Sequence, residues 1–419
     1  MNNRLKTFLC AAAACLALLC GGCTPSELLG LLTEDEKPVN ERLENEISER
    51  EDTLEGVGYS ALRTEADRRA YAMIDYSAQS ASDAKFTIDN DGTLDDLSAI
   101  LDLYKGDHPE VFWLNDNGGY EYIEHDSYTE IRLLYSVEGE ELIAAKKRLN
   151  ERTKELLDSM PQGLDKYGKE LWLNDLLVGI CEYDDEAAEK DEVIANEQNA
   201  YGALVDGKAV CEGYTRAFQL LCAELGVECV SVNGTSKPEG SDKEENHIWN
   251  AVKLDGDWYY VDVTWNDVQA ETDEYELTEI EKHLYFNITT ERLLEDHHIS
   301  PLYGSGEEAE YYNAFVPDCT AESCNYFRKS LVSLPSAEDS GAVEEALTAA
   351  AAKGADTFAF TIGEREDFQS TIDEIIDGYA YLWIQNANSQ NDAEHQLSDE
   401  CRIYSYPAVN AAAIELEYE

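Results

Sequence analysis

Apolar positions along this chain keep helical spacing over long stretches and break into short alternating runs between them. Leu94, Leu97, Ile100, Leu101 and Tyr104 recur at the helical interval, so residues 94–104 are predicted to be a helix with Thr93 as its N-cap. After a turn at Gly106 to Pro109, Val111 to Leu114 reads as a strand, followed by strands at Tyr120 to Glu124 and Thr129 to Tyr135. Glu140 to Met160 is an amphipathic helix with Leu142, Leu149, Leu156 and Leu157 on one stripe. Asp165 to Cys181 is another, burying Leu171, Leu173, Leu176, Leu177 and Ile180. The acidic run Tyr183 to Glu192 interrupts the pattern and reads as an exposed loop.

The pattern sharpens between Tyr201 and Asp267. Gly207 supplies a turn, and Tyr214, Phe218, Leu221, Cys222 and Leu225 mark one face of a helix that ends at Gly226. Cys211 falls in its first turn. A strand follows at Val227 to Val232, and Asp255-Gly256 is a favoured two-residue type I′ hairpin turn. Leu254 then opposes Asp257; counting outward, His247 opposes Thr264 and Trp249 opposes Asp262, all four on one face. His247 and Asp262 become diagonal neighbours roughly 7–8 Å apart at the backbone. From about Ser336 the order is helix (Val343 to Lys353), strand (Thr357 to Ile362), helix (Phe368 to Ala387) and two strands (Cys401 to Tyr406, Ala411 to Tyr418).

A chain of 419 residues exceeds one ordinary core. The elements divide it into a leader (1–22), an acidic tether (23–58), an N-terminal α+β region (59–164), a catalytic core (165–300), a connection (301–335) and a small C-terminal α+β domain (336–419). The leader has a positive start at Arg4 and Lys6 and an apolar run, Phe8 to Leu19, too short to span a bilayer. LLCGGC then resembles a bacterial lipoprotein processing site, with Cys23 the expected lipidated N-terminus and ordinary secretion the alternative; Cys20 stands where a small aliphatic residue is commoner. The expected location is outside the cytoplasm, anchored to the membrane through that lipid. The 88 acidic against 31 basic residues give a formal net charge of -57, which excludes nucleic acid as an expected partner.

Charge and cysteine placement narrow the chemistry further. Beyond Cys10, Cys15, Cys20 and Cys23 there remain Cys181, Cys211, Cys222, Cys229, Cys319, Cys324 and Cys401, with no C-x-x-C pair among them. Cys319 and Cys324 are close enough in sequence for a small disulfide, an open question at this point. Cys211 differs from the rest because a helix start favours thiolate over thiol and offers free N–H groups to an oxyanion. Cys222 and Cys229 read as core. With His247 and Asp262 in register, a Cys211–His247–Asp262 triad is expected, the aspartate orienting the imidazole and the imidazole facing the thiol. Trp249, Trp258, Tyr260 and Trp265 read as packing residues, with Trp249 and Thr264 the candidate lining of a substrate groove. Asp89-Asn90-Asp91-Gly92 is a turn, since Thr87 and Ser98 occupy the end ligand positions of a calcium loop. His297-His298 lacks a third ligand at helical or hairpin spacing, so no metal and no cofactor are expected.

YGALVDGKAVCEGYTRAF, NHIWNAVKLDGDWYYVDVTWND and HLYFNITTERLLEDHH together resemble the transglutaminase-like superfamily, in particular its bacterial secreted and kyphoscoliosis-peptidase-like branch. The resemblance covers Leu171 to His298 strongly, and DHPEVFW (Asp107 to Trp113) resembles the N-terminal part of such lipoproteins. It implies an α+β fold: a papain-like transglutaminase core, its nucleophile helix packed on an antiparallel sheet, flanked by an N-terminal α/β region and the C-terminal domain. It also implies Cys211 as nucleophile, His247 as base and Asp262 as its orienter. Asn174-Asp175 departs from the His-Asp pair of many relatives. Beyond the cysteine amide, Tyr201 and Gln198 are candidate oxyanion donors. The expected function is a peptidase or amidase acting on a peptide or protein amide. Acyl transfer from glutamine to an amine, or a non-catalytic surface binding module, are the alternatives. The polar stretch Thr235 to Glu245 is a candidate rim over the cleft.

Overall fold

Asp255 and Gly256 both take positive φ, +53° and +103°, as a type I′ turn requires, and the strands leave it in the expected register. Leu254 pairs with Asp257 and the ladder continues to Asn250 opposite Val261. In the computed structural model the described residues are 41–81, 85–89, 97–115, 119–188, 196–237, 243–267, 278–299, 316–336, 339–363, 368–392 and 395–418. The leader, Cys23, Thr93, Asn90 to Gly92 and the middle of the Thr235–Glu245 stretch lie outside them. The described residues fall into two compact units, drawn from residues 1–55, 62–101 and 118–134 and from residues 56–61, 102–117 and 135–419.

The first unit holds an antiparallel sheet of β1 (Phe86–Asp89), β2 (Tyr120–Glu124) and β3 (Tyr128–Leu133) in the order β1-β3-β2. A helix, Glu65–Ser80, starts at a capping box in which Thr64 and Asp67 bond each other's backbone N–H. It buries Tyr71, Met73 and Ile74, while the sheet buries Phe86 and Ile131.

The second unit is built on a five-stranded antiparallel sheet. β6 (Glu228–Ser236), β7 (Glu245–Leu254), β8 (Asp257–Val261), β9 (Phe286–Ile288) and β10 (His297–Ile299) lie in the order β10-β6-β7-β8-β9. The helix Cys211–Glu224 packs on β6 and β7. The Thr215 hydroxyl donates to Ile248 O at 3.0 Å, and Asn250 Nδ2 returns a bond to Thr215 O at 3.2 Å. The opposite face carries Trp249, Ala251, Val230, Val232 and Tyr260 into a core closed by Tyr285, Leu293 and Cys319. Helices Gly139–Asp158 and Lys166–Ile180 form where helical spacing predicts them.

Three local expectations change. Val111 to Leu114 is a turn with only a bridge from Leu114 to Tyr135, because Val111 N and Phe112 N are spent on His108 O and Glu110 O. Part of the acidic run is structured: β4 (Glu182–Tyr183) pairs in parallel with β5 (Lys208–Ala209), and Asp184 is buried against Lys208. The C-terminal sheet gains a three-residue strand, β11 (Val332–Leu334), beside β12 (Thr357–Ile362). It is completed by β13 (Ile403–Tyr406) and β14 (Ala411–Glu415), in the order β11-β12-β14-β13.

The turn after β8 is held by buried amides. Asn266, fully buried, donates to Asn174 Oδ1 at 2.9 Å and accepts from Tyr285 N at 2.8 Å, while Asn174 Nδ2 donates to Lys282 O at 3.0 Å. Truncating Asn266 strands a buried N–H and a buried amide oxygen, each costing about 1–3 kcal/mol. Asn266→Ala is therefore expected to lower the unfolding free energy by roughly 2–6 kcal/mol, measured by urea titration.

Candidate active site

Cys211 is the first residue of its helix, and the preceding Val210, in extended conformation, supplies no side-chain cap. The first-turn N–H groups are therefore left for whatever sits beside the sulfur. Gly213 sets the position of this helix start. A Cβ there would lie 2.5 Å from Glu197 O and 2.7 Å from the Ala209 Cβ, so only glycine allows the 196–199 turn to press on the helix. Val210 N donates to Glu197 O at 3.0 Å and closes the contact. Cys211 is partly exposed, whereas Cys222 is fully buried with its thiol pushed well up by burial.

His247, on β7, and Asp262, just after β8, are both buried. β8 ends at Val261, so Trp249 and Asp262 do not pair; the chain turns at Asp262 into a short helix, Val263–Asn266. Asp262 reaches the imidazole from that turn. His247 Nε2 donates to Asp262 Oδ2 at 2.6 Å, and Trp265 N donates to Oδ1 at 3.1 Å. Nδ1 is left for the thiol. Burial opposes a charge on His247, but the Asp262 carboxylate and a side-chain hydrogen bond with Cys211 outweigh it and push the imidazole up to about 10. Burial likewise opposes ionisation of Asp262, yet His247 and His297 hold it well below the usual carboxylate range.

His297 is the residue that spacing along a helix or hairpin misses. It arrives on β10, from the far edge of the sheet, and places Nε2 3.1 Å from the same Asp262 Oδ2. Among the described residues, His247, Asp262 and His297 are the group whose donor atoms, all within 4.8 Å, approach a metal-ligand arrangement. Both imidazoles aim Nε2 at one oxygen at hydrogen-bonding distance, which makes the trio a proton-sharing network.

Tyr183 is a second residue outside the sequence reading. Its pairing with Ala209 sets it two positions before the cysteine. Burial, then the charges of Cys211, Asp185, Glu245 and Asp262, disfavour its phenolate and keep it a neutral phenol.

The remaining candidates separate. Gln198 lies half-buried in the turn that presses on the helix start. Tyr201 is buried against Phe112 at 4.9 Å between ring centroids, with the Arg148 guanidinium 5.8 Å from its ring. Trp249 shares a face with His247 but is only 1% exposed inside the core, so it lines no groove. Thr264, half-buried, sits in the short helix instead of a strand opposite His247, because pairing stops at Val261. Cys319 and Cys324 are both free and buried; Cys319 Sγ faces Pro317 O, and Cys324 Sγ faces Lys329 Nζ at 3.6 Å. Asn174-Asp175 is fully engaged, the first with Asn266 and the second with His283 Nε2 at 2.8 Å.

The model of the transglutaminase-like superfamily matches residues 157–263, and the central region of this chain belongs to that superfamily. Kyphoscoliosis peptidase of Mus musculus is 32% identical over 164 residues, 37% of this chain and 24% of the relative. The Homo sapiens protein is 31% identical over the same shares. The chain thus spans about a quarter of the length of these curated relatives. A crystal structure of a TGase overlaps 42% of this chain and 54% of its own, at 16% identity and a TM-score of 0.26.

The His247 environment fixes a pH dependence. The folded protein keeps the imidazole proton to about pH 10 while the unfolded chain releases it near 6.5, so this stability is complete below 6.5 and is lost as pH rises through about 10. Urea unfolding of the wild type from pH 6 to 10 is expected to show a decline that His247→Gln flattens. Equal slopes in both proteins would contradict the assignment.

Proposed function

We propose that the central region is a thiol enzyme acting on amide bonds through Cys211, His247 and Asp262. One observation carries this reading: a partly exposed cysteine at an uncapped helix start acts on, and raises, an imidazole whose Nε2 is bonded to a buried carboxylate. In the resting pair the Cys211 proton already resides on His247, and the Cys211 thiolate attacks the substrate carbonyl. The C=O π electrons move to oxygen, which the Cys211 N–H and its first-turn neighbours stabilise, with Gln198 the nearby side-chain candidate. Collapse breaks the C–N bond, and the His247 imidazolium protonates the departing amine. Water then gives a proton to the now neutral His247 and adds to the thioester carbonyl; the C–S bond breaks, the carboxylic acid departs, and the Cys211 thiolate and His247 imidazolium are restored.

Hydrolysis of a peptide or protein amide is favoured over transfer to an amine because the Mus musculus and Homo sapiens relatives carry the name peptidase. Replacing water by a primary amine in the last step would give the transferase outcome. Export with lipid attachment at Cys23 is part of the proposal, supported by the Arg4–Lys6 start, the short apolar run and LLCGGC. Among the described residues no helix is long and apolar enough to cross a membrane.

Turnover of a fluorogenic peptide-amide library by the chain without its leader is expected to fall by at least about 10³-fold in Cys211→Ala. Identical profiles for wild type and variant would end the catalytic reading. Ammonia or peptide release without isopeptide cross-links separates hydrolase from transferase. Cys23→Ser is expected to move the full-length protein from the membrane to the soluble fraction in a bacterial host.

A further inference from the structure

Asp262 Oδ2 receives two imidazoles, and only one belongs to the triad. The other, His297, is 4% exposed and bonded at both ring nitrogens: Nε2 to Asp262 Oδ2 at 3.1 Å and Nδ1 to Asp296 Oδ1 at 2.6 Å. Both carboxyls are held ionised. Burial opposes charge on each, but His247 and His297 outweigh it at Asp262, and His297, Tyr285 and Arg292 do so at Asp296. An ionised carboxylate only accepts, so His297 donates from both nitrogens, and a ring that does this is an imidazolium. Asp296 is anchored in turn, its Oδ2 accepting from the Tyr285 hydroxyl at 2.6 Å and from Arg292 Nη1 at 3.0 Å. The connections run from Arg292 through Asp296, His297, Asp262 and His247 to Cys211.

We propose that His297 is a positioning residue of this site, an imidazolium clamped between Asp296 and Asp262 that fixes the Asp262 carboxylate for His247 and offsets part of its charge. The proposal rests on the thiol-enzyme reading above. Three positive groups, Arg292, His297 and His247, then face three negative ones, Asp296, Asp262 and the Cys211 thiolate. The other groups packed on the His297 ring, Trp249 at 5.1 Å, Trp265 at 4.4 Å and Tyr285 at 5.5 Å, add no charge at neutral pH. Without the His297 charge, Asp262 acts on His247 alone and binds its proton more firmly. Gly234 makes the arrangement possible. It pairs with Ile299, and a Cβ there would lie 2.1 Å from His298 O and 2.7 Å from the Trp249 ring. Only glycine lets β10 approach β6 closely enough to deliver His297.

The test needs no substrate. The rate of iodoacetamide alkylation at Cys211, read by peptide mass mapping, is followed from about pH 4 to 11 in the full chain. The wild type is expected to show a reactive plateau that lasts until His247 loses its proton. His297→Gln keeps a donor for Asp262 but no charge; its plateau is expected to extend upward by at least about 0.5 pH unit. His297→Leu removes both and is expected to lower plateau reactivity at least about tenfold while unfolding stays cooperative. Should the Leu variant not fold, the Gln variant and the wild type still decide. In 15N-histidine-labelled wild type, the ring signal that His297→Gln removes is expected to show both nitrogens protonated at pH 8. A plateau that neither variant moves, or a His297 ring with one bare nitrogen, overturns the inference and leaves the triad standing. A wild-type profile of an ordinary thiol, unchanged in His247→Ala, overturns the thiol-enzyme reading and this inference together.

Discussion

One carboxylate, Asp262, holds the site together. It is 1% exposed, and a lone charge at such depth costs several kcal/mol unless its oxygens are satisfied. Here His247 and His297 donate to Oδ2 and Trp265 N donates to Oδ1. Each donor comes from a different element: the middle of the sheet, its far edge, and the short helix that Asp262 itself caps. Satisfying the carboxylate therefore requires all three to be in place at once. The placement of the His247 imidazole depends on that same condition, since among the described residues Asp262 is its hydrogen-bond partner at Nε2.

The surrounding structure removes the freedom that would let this arrangement drift. The Asn174–Asn266–Tyr285 bonds fix the turn behind Asp262 to a helix and to the chain entering β9. Thr215 and Asn250 tie the cysteine helix to β7, the strand that carries His247. The elements that carry Cys211 and His247 are thus connected by two backbone-directed hydrogen bonds as well as by packing. Asn174 has a structural task here that its amide performs by donating and accepting together.

How much of this the sequence reveals follows from the range of each interaction. The helix start at Cys211, the Gly207 and Gly226 turns and the Asp255-Gly256 hairpin are local, and hydrophobic spacing plus turn chemistry finds them. The meeting of His247 with Asp262 is foreseeable from hairpin counting, although the ladder stops one residue early and Asp262 arrives by a turn. That same early stop is why Thr264 leaves the strand face. His297 escapes because its contact with Asp262 depends on β10 crossing to the other edge of the sheet, a pairing set by no local pattern. Tyr183 escapes because a two-residue parallel pairing inside an acidic run leaves no periodic trace.

Gly213 and Gly234 show why glycines that make no turn are hard to read. Neither has the positive φ that marks Gly207, Gly226 and Gly256, so backbone freedom is not their purpose. Each is needed for what a methyl group would strike, the Glu197 carbonyl at the helix start and the His298 carbonyl at the sheet edge. The first admits the turn carrying Gln198 to the cysteine, and the second admits the strand carrying His297 to the aspartate. Both contacts are with backbone, which cannot swing aside as a side chain can, so relief would require moving the segment itself. The two ends of the site, the cysteine end and the carboxylate end, are thus each set by the absence of a single carbon atom.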